Sequence, residues 1–325
     1  MRYIKGMQYR RLGSSGLQIS ALSFGSWVTF SKQVDEDVAY QLMTHAYDQG
    51  VNFFDNAEVY EQGQAEVLMG RAIKKAGWGR DTYCVSSKVF WGGQKPTQRG
   101  LSKKHVHDAC HAALERLQVD YLDLYFCHRP DPDTPVFETV FAMNDLITQG
   151  KILYWGTSEW KPNQLIEAYK VASKYGLRGP VMEQPEYNLF NRKNVELDLK
   201  PIIDKYGLGT TIWSPLCSGM LTGKYQDGIP KGSRFDLEGY EWLKDRYHSD
   251  VGQQRIQQVN QMAHIVRDLD ATLSQVAIAW CLKNPDVSTV ILGASNMDQL
   301  TENLASLDVV DQLDDLVMLE LDQLF

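Results

Sequence analysis

The sequence predicts an α/β fold, a closed (β/α)8 TIM barrel with an N-terminal β-hairpin and a long insertion after strand seven. Three observations lead there. Apolar, strand-like runs alternate with helical patterns eight times, and parallel strands need helical crossovers that cover both sheet faces. Several of those runs meet an ionisable side chain at their C-terminal end, which is where barrel enzymes place their chemistry. The length, 325 residues, suits one barrel with insertions, so a single domain over 1–325 is expected. An open, doubly wound sheet is the alternative.

The elements follow in order. R-R-L-G-S-S-G-L-Q-I-S, within 8–20, offers two short alternating runs around Gly13 to Gly16, a hairpin signal suited to plugging a barrel bottom. I-S-A-L-S-F-G is strand one, and a helix follows with Val38, Leu42, Ala46 and Ala39, Met43, Tyr47 at helical spacing, stopped by Gly50. Strand two is 51–54, then comes a helix carrying Ala65, Leu68 and Ala72, with Gly77 as its stop. Strand three is 83–87, followed by the long loop F-W-G-G-Q-K-P-T-Q-R-G and a helix with Val106, Cys110, Ala113, Leu114 and Leu117 along one face. Strand four is 122–127. After R-P-D-P-D-T-P a helix runs to Gly150, and strand five is I-L-Y-W-G. A helix over about 162–175 precedes strand six, V-M-E-Q-P, and a helix over 195–206 precedes strand seven, T-T-I-W. Strand eight is S-T-V-I-L-G, and a last helix enters at Asn296. Between strands seven and eight, 214–251 is rich in Gly, Pro and charge and reads as a functional loop covering a cofactor. Helices over 254–269 and 274–283 follow it.

Composition excludes several classes. Hydrophobic residues make up 43% and charged residues 23%, ordinary globular usage. Lys and Arg number 33 against 41 acidic residues, a net charge of -8, so no nucleic acid or anionic membrane is expected as partner. The five cysteines, Cys84, Cys110, Cys127, Cys217 and Cys281, show no C-x-x-C spacing and read as reduced thiols. No apolar run approaches the ~20 residues of a membrane helix, and the start has no apolar signal core. A cytoplasmic protein without membrane insertion is expected.

V-N-F-F-D-N-A-E-V-Y places Asp55 and Tyr60 just past a strand, Lys88 closes Y-C-V-S-S-K, and His128 closes Y-L-D-L-Y-F-C-H. These types suit reduction of a carbonyl by hydride, where charge builds on the oxygen and a group must hand it a proton. A tyrosine, with an ordinary pKa of about 10, holds that proton at neutral pH, and a neighbouring ammonium brings the value toward a useful range. Tyr60 is then the proton donor, Lys88 the ammonium, Asp55 its ion-pair partner, and His128 a hydrogen-bond donor to the same oxygen. Singly, the Asp reads as a helix cap, the Tyr as a core-edge residue and the His as structural. Their recurrence at successive strand ends favours the catalytic reading.

No G-x-G-x-x-G follows any strand, so a Rossmann site is excluded by pattern. Barrels instead form a phosphate site after strands seven and eight. L-G-A-S-N-M-D-Q-L-T-E-N, 292–303, has the small residues and helix start for it. W-S-P-L-C-S-G-M-L-T-G-K-Y, 213–225, adds an aromatic face and Lys224, with Arg234 as a second anion contact. Trp27, Phe90, Trp91 and Arg129 suggest an aromatic-rimmed mouth with one cation, suited to planar or acidic carbonyl compounds. His105, His107 and His111 invite a metal reading, but His107 and His111 lie opposite the apolar helix face, so a solvated surface and no metal are expected.

D-N-A-E-V-Y, the lysine of S-S-K and the histidine of F-C-H-R-P resemble the Asp, Tyr, Lys, His tetrad of the aldo-keto reductases. V-F-W-G-G, R-G-L-S-K-K-H, Y-W-G-T-S-E-W, Q-P-E-Y-N, W-S-P-L and L-G-A-S-N resemble the branch containing the voltage-gated potassium channel beta subunits and their bacterial relatives. The resemblance implies a barrel that reduces aldehydes and ketones with NADPH, its oxidised form NADP+ leaving. Asp55, Tyr60, Lys88 and His128 match the tetrad. Ser26, Trp27 and Gln33 match early cofactor contacts, Ser158 and Gln184 those on the carboxamide, and Trp213 the aromatic residue by the nicotinamide. Ser214, Pro215, Leu216, Ser218, Lys224 and Arg234 match the phosphate loop, and Gly293, Ser295, Gln299, Glu302 and Asn303 the adenosine end. The channel subunits carry asparagine where this chain has His128, so it resembles a working reductase more than a channel accessory; they also carry arginine at a cofactor contact where this chain has Glu159. Many other members carry Lys and Arg where Gly293 and Gln299 stand. The branch also implies a tetramer. The rival readings are a redox-sensing accessory subunit with little turnover and a metal-dependent barrel hydrolase, which lacks a clustered ligand set.

Overall fold

The computed structural model describes residues 6–27, 30, 34–239 and 241–325. Strands β3 (Leu22–Gly25), β4 (Phe53–Asp55), β5 (Cys84–Val89), β6 (Leu122–Cys127), β7 (Ile152–Ser158), β8 (Met182–Gln184), β9 (Gly209–Ile212) and β10 (Thr289–Leu292) close into one parallel barrel in that order. β10 pairs with both β9 and β3 to complete the ring. Every residue of β5 and β6 is buried, as expected where helices cover the outer face and side chains fill the interior.

The crossovers are α1 (Glu36–Asp48), α2 (Gln64–Ala76), α3 (Lys103–Leu117), α4 (Val136–Thr148), α5 (Pro162–Tyr175) and α6 (Lys200–Tyr206), each packed beside the next. Their ends carry local signals. Asp35 accepts from Val38 N at the start of α1, Ser102 accepts from His105 N at the start of α3, and Gly77, Gly176 and Gly207 close helices in left-handed geometry.

β1 (Tyr9–Arg11) and β2 (Gln18–Ser20) form the hairpin. Its Leu12 and Ile19 are fully buried in a cluster with Phe53, Cys84, Leu124, Phe126 and Met182, most of them from the N-terminal halves of barrel strands. The turn is pressed close. Gly13 has φ 55, and a Cβ there would lie 2.2 Å from Gly207 O.

The chain folds into two compact units. Met1–Pro185, Lys193–Trp213 and Asp286–Leu300 make up the first, which holds the barrel, and Glu186–Arg192, Ser214–Pro285 and Thr301–Phe325 make up the second. The second contains α7 (Glu241–His248), α8 (Asp250–Val266), α9 (Leu273–Lys283) and α11 (Asp315–Leu324); α10 (Met297–Leu304) crosses from one to the other. The second unit has its own aromatic core, with Tyr225 stacked on Phe235 at 4.2 Å and Tyr247 against both. No helix among the described residues is long and apolar enough to cross a membrane.

Several boundaries differ from expectation for stated reasons. Asp55 ends β4 rather than following it, because it pairs in register with Gly25. β5 runs on to Val89, because Lys88 and Val89 pair with Phe126 and Cys127. The helix expected over 195–206 is a π-helical turn, Asn194–Asp198, followed by α6; Pro201, which lacks an N–H, lies in the first turn of α6. The region 214–251 contains α7, whose buried residues are only Leu243 and Tyr247, too sparse a stripe to mark a helix. The buried face of α2 comprises Ala65, Glu66, Met69, Gly70, Ala72 and Ile73, leaving Leu68 half-exposed.

Leu12→Ala should cost about 2–5 kcal/mol, the range for emptying a well-packed buried leucine site. A denaturant midpoint indistinguishable from that of the parent chain would show that the hairpin does not close the barrel core.

Candidate active site

The barrel brings Asp55, Tyr60, Lys88 and His128 to one end. Asp55 and Lys88 lie at the C-terminal ends of adjacent strands, and His128 directly follows β6. Lys88 is fully buried, and Asp55 and His128 are 3% and 6% exposed. Lys88 Nζ donates to Asp55 Oδ2 at 2.6 Å, to Asn56 O at 2.8 Å and to Tyr60 OH at 3.2 Å. An ammonium has three N–H donors and no acceptor, so each donor has one oxygen. Tyr60 OH therefore accepts from Lys88 and cannot give its own proton back.

Tyr60 opens a single tight turn, Tyr60–Gly63, in which Glu61 and Gln62 hold φ of 46 and 54. Non-glycine residues in the left-handed region carry strain, commonly near functional groups. Asp55 is held on its other oxygen by Ser86 Oγ at 2.8 Å and Gln184 Nε2 at 3.2 Å. Ser86 was not anticipated, although its spacing of two from Lys88 puts both on one strand face.

Burial pushes the Lys88 pKa down and Asp55 pulls it back up, with the balance below the ordinary lysine value. Burial, then Lys88 and Arg129, hold the His128 pKa well below 6.5. The imidazole is thus neutral near pH 7, with one N–H. His128 Nδ1 is buried and has no hydrogen-bond partner among the described residues.

Around these four, Ser26 donates from both N and Oγ to Asp55 O at 3.1 and 3.2 Å. Ser158 Oγ donates to Gln184 O at 2.8 Å. Trp213 meets Trp27 edge-on at 5.7 Å, and its Nε1 donates to Glu159 Oε1 at 2.9 Å. Glu159 therefore anchors this indole. Phe90 and Trp91 make an edge contact at 4.8 Å, and Trp91 reaches the His128 ring at 5.1 Å. Arg129 donates to His128 O at 2.6 Å and to Ser158 Oγ at 3.2 Å, with its guanidinium 5.6 Å from the Trp91 ring.

The remaining residues fall elsewhere along the chain. Gln33 lies outside the described residues. Gly293 precedes α10, Ser295 N and Oγ both bond Gln299 Oε1 at 3.0 and 3.1 Å, and all three belong to the barrel unit. Ser214, Pro215, Leu216, Ser218, Lys224, Arg234, Glu302 and Asn303 belong to the second unit. There Ser214, Cys217 and Ser218 have positive φ, and Ser218 N donates to Ser214 Oγ at 3.2 Å. Burial, then Arg234, push the Lys224 ammonium below its ordinary pKa. Glu302 Oε1 accepts from Thr272 Oγ1 at 2.7 Å, and Asn303 is buried. His107 and His111 have ring centroids 4.4 Å apart, and no group of three or more His, Cys, Asp or Glu able to hold a metal occurs among the described residues.

A sequence profile described as the Aldo/keto reductase family matches residues 21–325. A rice protein (Oryza sativa subsp. japonica) named "Probable voltage-gated potassium channel subunit beta" is 51% identical over 308 residues, covering 94% of this chain and 93% of its own length.

The unfolded His128 takes up a proton as pH falls below about 6.5, whereas the folded one does so only at lower pH, so its contribution to stability is full above that value and lost below it. His128→Gln should therefore flatten the decline in urea midpoint over roughly pH 7 to 5. An equally steep decline in both proteins would contradict a depressed His128 pKa.

Proposed function

The chain belongs to the aldo/keto reductase family, a family of oxidoreductases, and we propose that it reduces aldehydes and ketones to alcohols with NADPH. The observation that carries this reading is the set of three donations from Lys88, to Asp55, Asn56 and Tyr60. As hydride reaches a carbonyl carbon, the oxygen needs a proton, and Tyr60 supplies it. The phenolate left behind lies 3.2 Å from the Lys88 ammonium. At that distance an opposite-charge pair gains about 5 kcal/mol for an effective dielectric near 20, offset in part by the Asp55 carboxylate. Asp55 keeps Lys88 charged and aimed despite burial. His128, held neutral by burial, donates its ring N–H to the carbonyl oxygen and orients it before proton transfer.

The donor set fits a nicotinamide dinucleotide phosphate. Ser158 and Gln184 are proposed to hold the carboxamide and Trp213 to lie by the nicotinamide ring, with Ser26, Trp27 and Gln33 as further contacts. In the second unit, Lys224 and Arg234 are suited to phosphate and favour NADPH over NADH, beside the turn of Ser214, Pro215, Leu216 and Ser218. Gly293, Ser295, Gln299, Glu302 and Asn303 are proposed for the adenosine end. When bound, the reduced nicotinamide supplies the hydride.

Trp27, Phe90, Trp91 and Arg129 are proposed to line the substrate mouth. Their rings and single guanidinium suit planar or acidic carbonyl compounds. The 51% identity to a protein named as a channel beta subunit supports a second reading, a cofactor-holding redox-sensing accessory subunit with little turnover; a homo-oligomer is proposed in either case, a tetramer by family resemblance alone. His128 supports turnover, since by resemblance the channel branch carries asparagine at this position and the reductase tetrad a histidine.

Tyr60→Phe should lower aldehyde turnover by at least about 100-fold while NADPH still binds, and more tightly than NADH. Undiminished turnover would remove Tyr60 as proton donor, equal affinities would remove the NADPH preference, and bound NADPH without turnover in the parent chain would favour the sensor.

A further inference from the structure

Glu58 and His105 are distant in sequence, yet both are buried, at 6% and 3% exposure. Glu58 Oε2 lies 3.5 Å from His105 Nε2. Glu58 Oε1 accepts from Phe90 N at 2.7 Å, and Glu58 N donates to Lys88 O at 3.2 Å. His105 stands in the first turn of α3, where its Nδ1 is 2.8 Å from Gly100 O. Burial opposes a charged imidazole, but Glu58 and the Gly100 carbonyl outweigh it and hold the His105 pKa above its ordinary value. The helix N-terminus also disfavours a cation there, so the carboxylate is what keeps this imidazole in place.

The loop above the pair is folded on itself. Gly92 N donates to Gln98 O at 3.0 Å, Gly100 N to Phe90 O at 2.9 Å, and Trp91 and Arg99 form an antiparallel bridge. Leu101 N is tied to Asp131 Oδ2 at 2.7 Å. Gly92 lies so close to the pair that a Cβ there would be 2.7 Å from both Glu58 Oε2 and His105 Nε2. Glu58 therefore joins three things: the backbone leading to Tyr60, the end of β5 at Lys88, and the loop that carries Trp91 against His128.

We propose that Glu58 and His105 are a buried positioning pair that holds the loop after β5, and through it Trp91, against His128, so that the pair governs how tightly a carbonyl substrate is held. Neither residue touches the reacting atoms. The effect on substrate rests on the reductase reading; the hold on the loop does not.

The test uses the full chain with NADPH and 4-nitrobenzaldehyde, comparing Glu58→Gln, His105→Asn, Gly92→Ala, Trp91→Ala and the Glu58→Gln, Trp91→Ala double variant, together with amide hydrogen exchange of residues 90–99. Glu58→Gln keeps an acceptor for Phe90 N and removes only the charge. Glu58→Gln and His105→Asn should each raise KM about tenfold with kcat within about threefold, and speed exchange of 90–99 at least about tenfold. In the Trp91→Ala background, Glu58→Gln should change KM by less than about twofold, since the two act through one contact. Gly92→Ala should reproduce the KM increase. Unchanged exchange in both single variants, additive effects of Glu58→Gln and Trp91→Ala, or a loss confined to kcat would overturn the proposal. If the parent chain reduces no aldehyde, the reductase reading fails, and exchange of 90–99 alone decides whether the pair holds the loop.

Discussion

A buried ion pair, Lys88 with Asp55 at 2.6 Å, is the constraint to which the site conforms. Removing two charges from water costs several kcal/mol each, and their attraction repays this only when the remaining donors and acceptors are also satisfied. Here they are. Asn56 O and Tyr60 OH take the other Lys88 donors, and Ser86 and Gln184 occupy the second Asp55 oxygen. Apolar residues of similar size would fill this space with less penalty, so the pair is better explained by the charge it delivers to Tyr60 than by stability.

The barrel makes that arrangement possible through register. Gly25 pairs with Asp55, Phe54 with Val85 and Lys88 with Phe126, so β5 carries Ser86 and, two residues on along the same face, Lys88 past the end of β4 to meet Asp55. The irregular backbone is concentrated just beyond those strand ends. Glu61 and Gln62 follow Tyr60 in left-handed geometry, and Glu159 does the same after Ser158, where its carboxylate holds the Trp213 indole. Regular strands place the charges, while strained turns aim the phenol and the indole.

Much of this was legible in the chain. The eight strands, the hairpin and the strand-end positions of Asp55, Lys88 and His128 follow from local apolar runs and the residues that close them. What was not legible depends on contacts between distant residues. Glu58 meets His105 and Phe90 only because two crossovers fold back to the same barrel end. Glu66 looks like a surface residue of α2, yet it is buried against Ser87 and Arg116. The helix α7 and the terminal α11 bury too few residues to show a periodic stripe. The π-helical turn at 194–198 has no periodic signal of its own.

The central claim is that the charge of Lys88, kept in place by Asp55, drives proton donation from Tyr60. Its most direct test is single-turnover oxidation of bound NADPH by an aldehyde in a Lys88→Met, Asp55→Asn variant, which removes both charges without leaving either buried alone. A rate lowered by about 100-fold or more with NADPH affinity retained is the expected result. A rate within about threefold of the parent chain, with cofactor bound, would contradict it.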